Sequence, residues 1–315
     1  MPGAVITGWG AAQPPGVVTN ADLEACLDTS DAWIVDRTGI RERRVGGSTT
    51  QLAVEAGRRA LERAGMDPQA VQLLMLSTNT PDQPIPATSA LVQGQLATAG
   101  GVFDLNSGCS GFIYGLVAAA GILATGLERI LFIASDTVSQ IVDPQDRSTA
   151  ILFGDAAGAV TLEAVPGKGA LLGWDLGADG SAACLIQRFD GGFVAMNGRE
   201  VYKIAVRVTP ISIQSALDRA RVSIDDISIF IPHQANLRII EAVNRRLGIP
   251  EKKTLIDLDT AGNTSSASIP LALSKAADEG RLHPGDLVLM AGFGAGMTWA
   301  SAVLRWGRDG ADRQG

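Results

Sequence analysis

A chain of 315 residues, 46% hydrophobic and 19% charged, is long enough for roughly two domains' worth of core and too apolar to be disordered along its length. Its net charge of −7, from 26 basic and 33 acidic residues, leaves no overall footprint for nucleic acid. Three cysteines and two histidines, with no C-x-x-C or H-x-x-x-H spacing, argue against zinc or any other resident metal and suit a reducing cytoplasm. The 37 glycines follow no G-X-Y period, so they mark points where the backbone turns tightly or comes close to something.

In chain order, the first ten residues lack a basic region and read as a strand, not a signal peptide. Strand-like runs are expected at 4–8, 73–77, 130–134, 159–162, 227–231, 254–258 and 287–291, separated by helix-period segments, which is the pattern of an α/β protein with sheets buried on both faces. Over 49–64, Leu52, Ala53, Ala56, Ala60, Leu61 and Ala64 form one apolar stripe, Arg58, Arg59, Glu62 and Arg63 lie outside it, and Gly65 stands at the closing position. The uncharged stretch 105–127 holds polar residues and glycines, and its helical part, 112–125, is too short for a bilayer; it predicts a buried central helix and no membrane span.

An internal repeat organises the chain. Ala60-Leu61-Glu62-Arg63-Ala64 and Leu73-Leu74-Met75 recur 156 residues later as Ala216-Leu217-Asp218-Arg219-Ala220 and Ile229-Phe230-Ile231. Asp104-Leu105-Asn106 matches Asp257-Leu258-Asp259 at an offset of 153, and Ile130-Leu131-Phe132-Ile133-Ala134 matches Leu287-Val288-Leu289-Met290-Ala291 at 157. The expectation is two similar halves, 1–165 and 166–306, followed by a loose tail, 307–315. Like halves packed about a pseudo-two-fold axis bring their equivalent loops together, here 107–111 and 260–266, with 232–236 nearby.

Those loops hold Cys109, Asn263 and His233. Cys109 follows a strand and precedes a helix, where the helix dipole and nearby N–H groups lower a thiol's pKa and favour the thiolate. His233 lies at the end of a buried strand, where α/β folds place reactive groups. Asn263 offers an amide donor for developing negative charge. Each has an ordinary alternative, as small core residue, structural histidine or Asx turn; Cys26, Cys184 and His283 have only the ordinary one.

Taken together, three segments resemble the active-site blocks of the β-ketoacyl-acyl-carrier-protein synthase III family: Cys109 in its Gly/Ser-flanked loop, Pro232-His233-Gln234-Ala235-Asn236, and Gly262-Asn263-Thr264-Ser265-Ser266-Ala267-Ser268. Further likeness lies in Arg37-Thr38-Gly39-Ile40, Asp143-Pro144-Gln145-Asp146-Arg147, Phe153-Gly154-Asp155, Met196-Asn197-Gly198-Arg199 and Gly292-Phe293-Gly294-Ala295-Gly296. The resemblance implies a thiolase-like fold, two similar halves in a five-layer α-β-α-β-α arrangement. It implies a cytoplasmic homodimer that condenses an acyl-CoA starter with malonyl-acyl carrier protein to initiate fatty-acid synthesis. No cofactor is implied, because acyl-CoA is a substrate.

By the same resemblance, Cys109 is the nucleophile and His233 and Asn263 bind the malonyl thioester carbonyl. The Cys109 N–H and the loop Gly294, Ala295 and Gly296 form the oxyanion hole, and Phe293 packs near the nucleophile. Trp33 and Arg147 stack on the CoA adenine, Thr29 and Arg37 touch the CoA end, and Asn236 contacts the pantetheine arm. Lys203, Arg238, Arg245 and Arg246 dock the acidic carrier protein, the last two being equally well read as a solvated helix face. Ile85 lends a partner subunit its pocket floor. The chain departs from the pattern in a short loop between Ser181 and Met196, in a short 44–50 segment, in Ser107-Gly108 before the nucleophile, and in Ser148 where glycine is usual. These departures keep open a starter enzyme of a specialised-metabolite pathway, or an acyltransferase with another acceptor. A papain-type hydrolase and a non-catalytic scaffold fit the duplicated pattern and the three polar residues less well.

Overall fold

The helix expected at 49–64 forms as Thr49–Ala64, and its ends show why. Ser48 accepts from the Gln51 N–H while the Gln51 side chain accepts from the Ser48 N–H, and Gly65 closes the helix in the left-handed conformation at φ 60°. In the computed structural model, which describes residues 3–189 and 191–307, this helix covers a five-stranded sheet. Of the tail expected at 307–315, residues 308–315 lie outside the described residues.

The sheet runs in the order Gly3–Ala12, Asp155–Val165, Arg129–Thr137, Leu73–Ser77, Gly101–Leu105. Leu73–Ser77 and Arg129–Thr137 pair in parallel, with Leu73 opposite Ile130, and the next two pairings are antiparallel. A second sheet, Ile229–Pro232, Leu287–Gly294, Thr298–Arg305, Leu171–Ala178, repeats that order and those directions, with Ile229 opposite Val288 in parallel. The repeat in sequence is thus a repeat in topology, with one correction: the 130–134 match is shifted by one residue, because Ile130 corresponds to Val288 and not to Leu287.

One expected strand differs. Residues 254–258 make only a single bridge, Thr254 to Phe230, supported by the Leu255 N–H donating to the Phe230 carbonyl at 2.8 Å. Beyond it, the Asp257 and Leu258 N–H groups donate to Gln234 Oε1 at 2.9 and 3.3 Å, which removes the donors that a ladder needs. The chain then makes the short helix Leu258–Ala261, and this extra turn moves the repeat offset from 153 to 157. After it the correspondence is close: Asn106 Oδ1 accepts from the Gly108 N–H at 3.2 Å, and Asn263 Oδ1 accepts from the Ser265 N–H at 3.0 Å.

Helices fill three layers. Thr49–Ala64 and Thr88–Leu96 cover the first sheet, Gly198–Ala220 and Leu237–Leu247 lie outside the second, and Gly111–Leu123 and Ser268–Asp278 run between the sheets. The result is the five-layer α-β-α-β-α arrangement. Gly111–Leu123 is apolar and packs against both sheets, leaving Ala118 and Gly121 exposed; Phe112 and Ile113 have no exposed surface, and Phe112 stacks on Phe132 at 5.3 Å. No helix among the described residues is long and apolar enough to cross a membrane.

Candidate active site

Cys109 stands in the turn between the strand Gly101–Leu105 and the helix Gly111–Leu123. Gly108 takes φ 61°, and a Cβ there would lie 2.7 Å from Ala295 N and 2.8 Å from Ala295 O. A Cβ on Gly294 would lie 2.2 Å from Cys109 N. These glycines therefore let the 294–296 loop press against the backbone of Cys109; the close approach is of protein to protein. Thr298 Oγ1 ties the two segments by bonding the Ser107 and Ala295 carbonyls at 2.7 and 3.0 Å.

His233 ends the parallel strand Ile229–Pro232 and is 3% exposed. Its Nδ1 bonds Ser268 Oγ at 2.7 Å, which fixes the ring, and Phe293 packs edge-on at 5.5 Å. Asn263 is held by its backbone on both sides: its N–H donates to the Leu152 carbonyl at 2.8 Å, and its carbonyl accepts from the Gly154 N–H at 3.1 Å. With Oδ1 occupied by Ser265, the amide NH₂ remains as its donor. Ser265 Oγ reaches Cys109 Sγ at 3.4 Å, and Phe293 links His233 to the Gly294 backbone at Cys109. Contacts thus join the three expected residues across the junction of the two halves.

Burial governs the ionisation of Cys109 and His233. Burial pushes the Cys109 thiol up to about 12, with the Ser265 hydroxyl opposing this and the Asp136 carboxylate adding to it. Burial likewise lowers His233 to about 3. The resting pair is a neutral thiol and a neutral imidazole.

Of the residues expected at the CoA end, Arg147 lies directly over Trp33, 4.8 Å from the ring centroid, and Arg37 approaches the same ring at 5.5 Å. An adenine between Trp33 and Arg147 requires the guanidinium to lift off the ring and to give up its 2.6 Å bond to the Asp28 carbonyl. Thr29 Oγ1 is buried without a hydrogen-bond partner. Asn236 caps Leu237–Leu247 through the Arg238 N–H and donates to the Arg37 carbonyl at 2.9 Å, so it joins the two helices. Among the expected docking cations, Lys203 pairs with Glu200 at 2.7 Å, Arg238 with Asp36 at 2.7 Å and Arg245 with Glu241 at 3.7 Å, while Arg246 reaches the Val206 carbonyl. Their positive charge is partly neutralised within the chain, although exposed pairs of this kind exchange easily, being worth about 0–1 kcal/mol.

The short loop after Ser181 is a 3-10 turn, Gly180–Leu185, and a hairpin pairing Ile186–Gln187 with Ala195–Met196, with Phe189 and Phe193 exposed beyond it. Ile85 is 87% exposed and lines nothing within this chain. Sequence reasoning missed Ser268, which orients His233, and the connected set of buried Asp136 and Ser265 with the half-buried Asn79. The available signals were an acid, Asp136, ending an apolar strand, and the Asn106/Asn263 match.

A duplicated five-layer fold with a cysteine loop from one half meeting a histidine and an amide from the other defines an acyl-transferring enzyme of the thiolase-like class. Two family profiles match: "3-Oxoacyl-[acyl-carrier-protein (ACP)] synthase III" over 103–190 and its C-terminal counterpart over 217–306. The chain belongs to the 3-oxoacyl-[acyl-carrier-protein] synthase III family. Curated relatives named β-ketoacyl-[acyl-carrier-protein] synthase III include one from Roseiflexus sp., 46% identical over 96% of this chain and 98% of that one, and one from Geobacillus kaustophilus, 44% identical over 97% and 100%. The solved 3-oxoacyl-[acyl-carrier-protein] synthase III of Aquifex aeolicus superposes with a TM-score of 0.94 at 42% identity, covering 96% of this chain and all of that one. A priming β-ketosynthase from a polyketide biosynthetic pathway superposes at 0.92 with 34% identity, covering 96% of each.

Proposed function

We propose that this chain is a β-ketoacyl-acyl-carrier-protein synthase III, joining an acyl-CoA starter to malonyl-acyl carrier protein. The observation that carries the reading is that the loop of Cys109 abuts the Asn263–Ser265 loop and the Phe293–Gly294 segment that packs on His233, where the expected halves 1–165 and 166–306 join. Cys109 sulfur attacks the acyl-CoA thioester carbonyl; the new C–S bond forms as the bond to CoA sulfur breaks, and the thiol proton ends on CoA. The malonyl thioester then binds with its carbonyl oxygen facing His233 and Asn263. As CO₂ leaves, the electron pair of the broken C–C bond becomes an enolate held by those two donors. The enolate carbon attacks the acyl-cysteine, a C–C bond forms, Cys109 leaves as thiolate and recovers a proton from solvent. A neutral imidazole suits this role, because it donates a hydrogen bond without being consumed as an acid. Removing one such donor lowers the rate by about 10²–10³.

Intact-mass measurement after mixing with acetyl-CoA is the direct test. The expected result is one acyl adduct that disappears in Cys109→Ala, and ketoacyl product once malonyl-acyl carrier protein is added. An adduct surviving in Cys109→Ala rejects the reading. The buried Thr29 hydroxyl without a partner and the basic Trp33, Arg37 and Arg147 cluster support the CoA end there. Carrier docking is assigned to Lys203, Arg238, Arg245 and Arg246, and no cofactor is assigned. The three free cysteines support a reducing, cytoplasmic setting.

A homodimer is part of the proposal. Gly101–Leu105 is the outer strand of its sheet, Phe103 on it is exposed, and Ile85 projects nearly free. Pairing of this edge with a second copy buries both, and Phe103→Asp is expected to give a monomer in light scattering. A second reading, a priming enzyme for a specialised pathway, draws on the likeness to the polyketide priming synthase and on the short 181–196 segment; turnover with longer or branched acyl-CoAs in preference to acetyl-CoA favours it.

A further inference from the structure

The expected site residues leave one close neighbour of the nucleophile without a role. Ser265 is 3% exposed, and its Oγ is 3.4 Å from Cys109 Sγ. It holds φ 54°, a left-handed conformation that a serine adopts at a cost. The residue at the equivalent point of the first half is Gly108, at φ 61°, where no such cost arises. A side chain has therefore been kept at a backbone position suited to glycine, and the atom it contributes lies beside the sulfur.

The surrounding hydrogen bonds set the direction of that hydroxyl. Backbone N–H groups of Asn79 and Ser266 donate to Asp136 Oδ1 and Oδ2 at 2.6 and 2.9 Å, so this fully buried carboxylate acts as an acceptor. Asn79 Nδ2 donates to Asp136 Oδ2 at 3.2 Å, which fixes which end of the amide faces inward. The same Nδ2 donates to Ser265 Oγ at 2.9 Å. With Asn79 donating to one lone pair, Cys109 Sγ is the neighbour placed to accept from the Ser265 O–H, and it does so whenever the sulfur is charged.

We propose that Ser265 is a further catalytic residue: its hydroxyl donates a hydrogen bond to the Cys109 sulfur, with Asn79 and Asp136 as the positioning residues that aim it. The bond strengthens whenever the sulfur carries charge. That happens twice per turnover, as Cys109 attacks the acyl-CoA and as it departs from the ketoacyl product, so one serine assists both half-reactions. No proton leaves Ser265 in either step. The proposal rests on Cys109 being the acylated residue, but its first test does not.

Ser265→Gly removes the hydroxyl and takes the left-handed conformation without strain; Ser265→Ala removes the hydroxyl and keeps the strain. Alkylation of Cys109 by iodoacetamide, followed by mass across pH 7–10, reports thiolate formation without any acyl substrate. Both variants are expected to alkylate about 10-fold more slowly at a given pH, with the profile displaced to higher pH, and to lose about 10- to 100-fold in both acylation and condensation at unchanged KM for acyl-CoA. Asn79→Ala is expected to displace the alkylation profile in the same direction by a smaller amount. An unchanged alkylation profile in Ser265→Gly overturns the proposal, even if the variant melts earlier or turns over more slowly, because the serine is then only structural. Failure of the parent enzyme to form an acyl adduct rejects the condensing reaction instead and leaves the alkylation result standing.

Discussion

Arg43 offers a perturbation far from the sulfur whose consequences can be worked through. It is 1% exposed, has no carboxylate in ion-pair reach among the described residues, and burial lowers it only to about 10, so it stays charged. Its guanidinium donates twice to the Ile151 carbonyl, at 3.2 and 2.6 Å, and once to Asn20 Oδ1 at 2.7 Å. Ile151 begins the segment whose Leu152 and Gly154 backbone groups grip Asn263, and Asn20 in turn donates to Asp31, in the first turn of the helix carrying Trp33 and Arg37. Arg43→Met leaves two buried acceptors unpaired, at about 1–3 kcal/mol each, and relieves part of the cost of a buried charge, for a net loss of about 2–4 kcal/mol. At about 2.1 cal/mol/K per residue, a chain of this length loses about 3–6 °C of melting temperature. Loosening of Asn263 is expected to slow condensation about 10-fold while acyl-cysteine formation stays within about twofold. Thermal unfolding and separately timed half-reactions measure both effects. A melting point within about 1 °C of the parent, or acylation falling as far as condensation, refutes the argument.

Gly108→Ala combines a left-handed φ, costing about 1–2 kcal/mol, with a clash against Ala295, and is expected to lower single-turnover acylation at least 100-fold. With Cys109 near 12 and His233 near 3, neither group changes ionisation between about pH 5 and 9, so the acylation rate should show no inflection near 6.5; one found there would assign a charged imidazole to the mechanism. His233 also bears on stability: its folded value lies below the unfolded 6.5, so under pH 6.5 the unfolded chain binds the extra proton. Its contribution, intact above pH 6.5, is lost at up to about 1.4 kcal/mol per pH unit as pH falls toward 3. Denaturant titrations at pH 7 and 4 should find His233→Asn less acid-sensitive than the parent, and equal sensitivity would contradict the buried neutral ring.

The parts of the fold legible in sequence were those written in local periodicity. Thr49–Ala64 and Leu73–Ser77 form at their expected limits because stripe, cap and β-branched or long apolar run agree there. The strand expected at 254–258 fails because a distant side chain, Gln234, takes its backbone donors, and no local pattern encodes that. At the site, Cys109, His233 and Asn263 stood out because each is chemically distinctive and lies at a strand end or loop of the repeat. Ser265, Asn79 and Asp136 did not, since a serine in a serine-rich loop and an acid at a strand end gain meaning only when the two halves meet. The helix end pointed toward a thiolate, and the burial that pushes the thiol the other way comes from residues far apart in sequence.

The duplication also supplies the nucleophile with a twin. By the shared Asx turns, the counterpart of Cys109 is Ser266, whose Oγ is bonded to Asp136 at 2.6 Å, while the strand position equivalent to Asp136 is Gly294, where a Cβ would lie 2.2 Å from Cys109 N. Where one half sets a thiol against a bare glycine, the other has a hydroxyl anchored to a carboxylate. The molecule is thus symmetric in architecture and one-sided in chemistry: the loop of one half presents a thiol, and the same point of the other half is tied down by Asp136, which anchors the loop carrying Asn263 and Ser265.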